Sequence, residues 1–498
     1  MHQTARRFAL AFPPSRAGRH VLAGVLLAGL LQITPLRAQA PQLSPQTLQF
    51  VKYAQPIIAI THVRVIDGNG TPAKENQTVL LHDGRIDAVG RHVTVPKGAT
   101  LIDGSGHTLI PGLVGMHDHM FYPAPKVNPG AKEALYPEQA SSFPKLYLAG
   151  GVTSIRTTGS VEPYTDLALK QAIDAGKIPG PKMHTTGPYL EGAGSFAPQL
   201  HELADAADAR STVDYWIAEG ATSFKAYMHI TRAELASAIA AAHARHIKVT
   251  GHLCSIGFHE AVDLGIDDLE HGLVVDTEFT SGKQPDVCPD TRLAVADLAK
   301  MSIDSPQLQQ LIHYLVAKHV AVTSTLPVFE TFVPGRAPVD PRVLAAMLPE
   351  TRVEYLKTRE HIAQSPDSPW TRLFKLEEDF EHAFVQQGGT LLAGLDPTGY
   401  GGVIAGYGDQ REVELLVEAG FTPVQAIRIA TLNGARFMGE DSSIGSVAPG
   451  KAADLVLLKG NPATNIKDIE NVEIVFKDGV GYDPEKLVEA ANGTVGLR

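Results

Sequence analysis

Hydrophobic and polar positions follow two different periods along this chain. From about residue 57, short β-rich runs such as "IIAITHVRVIDGNG", "TVLLHDGRIDAVG" and "ATLIDGSGHTLIPG" are punctuated by Asp-Gly and Asn-Gly pairs, as hairpins require. The same texture returns near the C-terminus in "ADLVLLKGNP" and "VEIVFKDGV". The middle is different. Eight strand-like runs, "LVGMHDH", "VTSIRTT", "KMHTTGP", "TSFKAYM", "IKVTGHL", "DDLEHG", "VAVTSTL" and "TLLAGLD", alternate with helical patterns such as "DARSTVDYWIAEG" and "TRAELASAIAAAHARH". This alternation predicts an α/β fold, a (β/α)8 TIM barrel over residues 111–439. The β-rich ends, residues 41–110 and 440–498, predict one small β-sandwich domain assembled from both termini. Segments 273–303 and 327–387 are longer than plain connections need, and predict lids or subdomains over the site.

Composition adds limits. The chain carries 54 acidic and 43 basic residues, a net charge of −11, with no basic stripe or aromatic–basic interleaving, so nucleic acid is not an expected partner. Arg6, Arg7, Arg16 and Arg19 precede the apolar run "VLAGVLLAGLL", and Ala38-Gln39-Ala40 has the form of a signal cleavage site. Residues 1–40 therefore read as a signal peptide. Its apolar run is shorter than the ~20 residues a spanning helix needs. The expectation is an exported protein, periplasmic or secreted, mature from about Pro41 and free of the membrane after cleavage. Two cysteines, Cys254 and Cys288, are too few for a disulfide framework; a single pair and two buried thiols both remain open.

The candidate chemistry gathers at the C-terminal ends of the eight strands, where a barrel builds its site. Strand 1 ends in His117-Asp118-His119, and alternation puts both imidazoles on one face, able to converge on one metal ion. Strand 4, in "GATSFKAYM", places Ser223, Lys225 and Tyr227 on a common face. A lysine among apolar strand residues is costly to bury unless it is neutralised or used. Strand 5 ends at His252, strand 6 at His271 and strand 8 at Asp396. Each is unremarkable alone. Their placement at the same end of successive strands makes a coherent set.

With "LIPGLVGMHDH", "GATSFKAYM", "AHARHIKVTGHL", "GIDDLEHG", "LLAGLDPTG" and "ATLNGARFMG…GSVAPGKAADLVLL" in this order, the chain resembles the amidohydrolase superfamily of metal-dependent hydrolases. The spacing of His252 and His271 is similar to the branch of imidazolonepropionase-like enzymes and Xaa-Pro dipeptidase-like carboxypeptidases. "GATSFKAYM" also resembles the strand-4 segment of hydantoinases and dihydropyrimidinases. The resemblance implies two divalent metal ions, with zinc the default. His117, His119 and Asp396 would hold one ion and His252 and His271 the other, with N-carboxylated Lys225 bridging them. It further implies hydrolysis of amide or peptide C–N bonds in small substrates, dipeptides or N-acyl amino acids, by a metal-bridging hydroxide. Asp396 would carry the proton to the leaving group.

Some positions depart from the pattern or stay open. Gly115 stands where many relatives have an acidic residue, and Leu395 replaces the usual Thr or Ser before the final aspartate. Tyr227 could donate to a developing oxyanion or simply pack. His184 and His229 could line the pocket, and Arg156 could hold a substrate carboxylate or form a salt bridge inside the barrel. A cyclic amidase, lactonase or deaminase is the alternative activity, and a non-catalytic scaffold the alternative class. All proposed ligands are present, against a scaffold, and Lys225 is unexpected in the deaminases. A homo-oligomer is compatible with the sequence.

Overall fold

The computed structural model describes residues 42–124, 134–336 and 339–497. Residues 1–40, expected to be a signal peptide, lie outside the described residues. All eight expected strands form: β1 (Leu113–Gly115), β2 (Val152–Arg156), β3 (Lys182–His184), β4 (Ser223–Ala226), β5 (Lys248–Gly251), β6 (Asp268–Glu270), β7 (Ala321–Ser324) and β8 (Leu391–Ala393). They pair in parallel and in chain order, β1 to β3 in one sheet and β4 to β8 in another. Backbone hydrogen bonds cross both seams. Thr222 N donates to Thr185 O (2.8 Å) and Gly187 N to Ser223 O (3.0 Å); Met116 N donates to Ala393 O (2.8 Å) and Asp396 N to His117 O (3.0 Å).

Helices fill the connections where the sequence carries start and stop signals. Asp205 caps the helix Ala206–Glu219 by accepting from the amides of Ala207 and Asp208, and Gly220 ends it in the left-handed region at φ 112°. Thr231 and Glu234 form a capping box on the helix Arg232–His243. The strands are buried throughout, apart from the first residues of β3 and β5 and the last of β3, as parallel strands covered on both faces must be.

The two chain ends do come together, but as one continuous nine-stranded sheet where a β-sandwich was expected. The strand His107–Pro111 joins them: it pairs in parallel with Ile57–Val65 and antiparallel with Leu455–Lys459. Alternation then divides the side chains. Ile58, Ile60, Val79, Leu109, Leu455 and Leu457 form one apolar cluster, whereas Ile110, Val456 and Leu458 join the core shared with the eight parallel strands. The long segment 327–387 is mostly helical, and its Phe329 reaches the candidate site, 5.5 Å edge-on from the His271 ring. Cys254 and Cys288 form a disulfide, which anchors part of segment 273–303 beside β5.

One polar feature of this core is costly. Glu377 and Glu381 on the helix Trp370–Gln386 and Glu412 on Tyr407–Glu418 are all buried. Burial first, then mutual repulsion, pushes Glu381 well above the carboxylate range; burial takes Glu377 and Glu412 up to about 8. The folded state thus favours protonated Glu412. As pH rises from its ordinary 4.5 toward about 8, the unfolded chain ionises first and stability is lost. Glu412→Gln keeps an acceptor for the Leu326 amide. It should equal wild type near the lower end of that window and exceed it by ~1–2 kcal/mol at the upper end, read by denaturant unfolding.

Candidate metal centre

The chain leaves β1 straight into His117 and His119, and both imidazoles are buried. His117 Nδ1 lies 2.8 Å from Glu270 Oε2. Glu270 is held ionised: burial pushes it up, but Arg156 and Lys225 outweigh that and its titration falls below the ordinary value. An ionised carboxylate only accepts, so His117 carries its proton on Nδ1 and turns the Nε2 lone pair inward. His119 is set the same way, with Nδ1 donating to the carbonyl oxygens of Thr157 (2.9 Å) and Gly159 (3.2 Å). His271 Nδ1 meets Thr325 Oγ1 at 2.8 Å, and its buried Nε2 has no hydrogen-bond partner among the described residues.

Asp396 faces all three of these nitrogens. Its carboxylate lies 3.7 Å from His119 Nε2 and 3.8 Å from both His117 Nε2 and His271 Nε2, beyond ordinary hydrogen-bond reach. Ligand atoms of His117, His271 and Asp396 fall within 4.8 Å of one another. Asp396 Oδ1 is also buried without a hydrogen-bond partner among the described residues. Lys225 Nζ approaches His117 Nε2 at 3.0 Å, and the His252 ring centre is 4.4 Å from that of His271. All six side chains expected as ligands are therefore brought together.

Electrostatics prepares these groups for a cation. Burial, and then the charge of Lys225, holds His117 and His119 well below the ordinary imidazole value and takes His252 to about 3; burial, then His117, does the same for His271. The four rings are neutral at pH 7, the form in which imidazole binds metal. Burial lowers Lys225 to about 8 against the pull of Glu270 and Asp396, and raises Asp396 to about 6. His271 and Asp396 also adopt left-handed backbone, φ 71° and 49°. Such conformations are uncommon outside glycine and concentrate at functional sites. Buried orphan atoms, neutral imidazoles and a converging carboxylate are a donor set that fits a divalent metal.

The amidohydrolase family model matches residues 108–323 and 399–481. This chain belongs to the amidohydrolase family. Similar proteins include a dihydroorotase of Pelobacter propionicus, 32% identical over 109 residues, which are 22% of this chain and 23% of that protein. The match thus spans less than a quarter of that relative. Among solved structures, a Xaa-Pro dipeptidase with bound methionine in the active site superimposes with a TM-score of 0.63 at 20% identity, over 86% of this chain and 100% of the other. A bottromycin amidohydrolase gives 0.65 at 19% identity, over 91% and 95%. At these identities the structural likeness concerns the fold.

This amidohydrolase places the remaining candidates unevenly. Tyr227 lines the same cavity as His119, Lys225, His252 and Asp396. His229 is turned away, its Nδ1 3.3 Å from Glu191, and His184 sits 3.3 Å from Glu440; neither lines the cavity. Arg156 is engaged inside the protein. It donates to Met116 O (3.0 and 2.7 Å), Thr250 Oγ1 (3.1 Å) and Glu270 Oε1 (2.7 Å), and it is buried and does not line the cavity. Gly115 also has a steric reason: a Cβ there would overlap the Asp118 carboxylate, so this amidohydrolase has no room for an acidic side chain. Gly394 likewise lets β8 approach the His117 backbone.

Two contributors were missed from sequence. Glu270 precedes His271 in "DLEHG" and reads as one more acid near a turn, although its alternation points it inward from β6. Tyr189, on the loop after β3, places its hydroxyl 3.4 Å from His119 Nε2 and carries no local motif. Glu270→Gln should preserve the fold but lower metal affinity ~10–100-fold, because His117 loses the partner that fixes its tautomer. Metal titration of the stripped protein, alongside a thermal melt, measures this.

Proposed function

We propose that this amidohydrolase is an exported hydrolase of amide or peptide C–N bonds in small substrates, of dipeptide or N-acyl amino acid type. The single observation that carries the reading is the convergence of His117, His119, Lys225, His252, His271 and Asp396 on one buried centre. We read the eight parallel strands as a closed (β/α)8 barrel, residues 111–439, with the centre at the C-terminal ends of its strands and the nine-stranded sheet as a second domain.

His117, His119 and Asp396 would hold one divalent ion, His252 and His271 a second, and N-carboxylated Lys225 would join them; zinc suits the imidazole and carboxylate donors. Lys225 is suited to that modification because burial brings its amine to about 8, so the neutral form, which adds to carbon dioxide with loss of a proton, is accessible near neutral pH. Bound at this site, divalent metal supplies Lewis-acid polarisation and a water acidic enough to attack at neutral pH. The protein supplies the rest. Asp396, ionised at pH 7 yet titrating at about 6, takes the proton of the attacking water and delivers it to the leaving nitrogen. Tyr227 keeps its proton because burial raises its hydroxyl well above the usual value, so it can donate to a developing oxyanion.

Export is supported by the signal-like residues 1–40 and by the Cys254–Cys288 disulfide, a bond that persists in oxidising compartments. A second reading, hydrolysis of a cyclic amide, is favoured by the local match to a dihydroorotase. A panel of dipeptides, N-acyl amino acids, cyclic amides and lactones separates the two, and we expect the linear amides to be turned over fastest. On the best substrate, Asp396→Asn should lower kcat by at least ~10². Unchanged turnover in that variant would remove Asp396 from the proton path.

A further inference from the structure

A second and larger cavity adjoins the metal centre. The inner cavity has a volume of about 40 Å³ and the outer one about 490 Å³. They share a wall: Val161, Tyr189 and Leu200 line both. The outer cavity runs from the loops after β2 and β3, at Pro163 and Pro188, to the helix Ala206–Glu219, which contributes Ser211, Thr212, Tyr215 and Trp216.

Part of the outer cavity's wall is aromatic, formed by Tyr189, Tyr215 and Trp216, with Tyr164 packed against Trp216 outside the lining. Tyr164 and Tyr215 meet through their hydroxyls, and both flank Trp216, with ring centres 4.8 and 5.3 Å from it. Tyr164 and Tyr215 are each more than half exposed, at 54% and 51%. Large aromatic rings held open beside a concave, proline-walled space offer flat apolar area at little entropic cost. The charged lining is one-sided. Asp208 is kept ionised by the Ala204 amide and His201, and among the described residues no lysine or arginine lines the cavity. An anionic group is therefore disfavoured there.

We infer that the outer cavity is a specificity subsite that takes an uncharged aromatic group of the substrate whose amide bond lies at the metal centre. The inference rests on the hydrolase reading above, and the wall that the two cavities share at Val161, Tyr189 and Leu200 is what relates both to one substrate. The scissile amide would lie in the inner space and the distal ring in the outer one.

Two matched pairs test this with the full mature enzyme. One lengthens the acyl side, N-acetyl-L-alanine against N-(4-phenylbutanoyl)-L-alanine. The other lengthens the amine side, N-acetylglycinamide against N-acetylglycine 2-phenylethylamide. Ser211→Trp fills the cavity from an exposed helix position, and Trp216→Ala removes the platform. Both should lower kcat/KM at least ~10-fold for one lengthened compound and change the short parent less than ~2-fold. Equal effects on short and long compounds, or none on either, would overturn the subsite. A binding measurement keeps this separate from the hydrolase reading. The chain has two tryptophans, so Trp370→Phe leaves Trp216 as the only indole reporter. Titration with 4-phenyl-2-butanone, which has no amide to cleave, should change Trp216 fluorescence saturably, and adding Ser211→Phe, which fills the cavity without a second indole, should abolish the effect of the ligand. If no amide is hydrolysed but this binding is found, the hydrolase reading fails and the aromatic site stands. If amides are hydrolysed and no such binding is seen, the subsite is wrong.

Discussion

Glu270 lies between Arg156 and His117, and that bridge decides which way the centre faces. One carboxylate oxygen takes the guanidinium at 2.7 Å and the other takes His117 Nδ1 at 2.8 Å, all fully or nearly fully buried. A buried carboxylate needs the arginine to remain ionised, and the imidazole needs the ionised carboxylate to fix its tautomer. Arg156 in turn grips Met116 O, the backbone immediately before His117. Strand ends β1, β2 and β6 are thus tied together by the group that aims the first ligand. The same arrangement neutralises some of the positive charge beside Lys225.

Around that brace the molecule tolerates several unfavourable features at one place. Lys225 is buried with its ammonium against a histidine nitrogen, His271 Nε2 and Asp396 Oδ1 lack hydrogen-bond partners among the described residues, and two candidate ligands take left-handed backbone. Each costs on the order of 1–3 kcal/mol in a folded chain. Their coincidence within one cavity is expected of a centre shaped for an ion, where the same lone pairs become ligands.

Much of this was legible because barrel strands are short and present their ends in register. His117, His119, Lys225, His252, His271 and Asp396 each stand at or just beyond a strand end, so a polar residue closing an apolar run carried position as well as chemistry. What was not legible depends on distant partners. Whether Arg156 would meet a substrate or Glu270 turns on two strands more than a hundred residues apart in sequence. His184, on β3, differs from its neighbours only in facing Glu440 outside the site. The pairing of Cys254 with Cys288 and the single sheet formed by the chain ends are likewise contacts between remote segments, which local periodicity does not encode.

The role of Lys225 separates a two-ion centre from a one-ion centre, and elemental analysis of the purified protein tests it most directly. Roughly two divalent ions per wild-type chain are predicted, falling below about one in Lys225→Ala, with partial return of metal and activity on adding a small carboxylic acid. A wild-type chain without metal, or a Lys225→Ala variant that keeps its full metal content and activity, would contradict the bridging role.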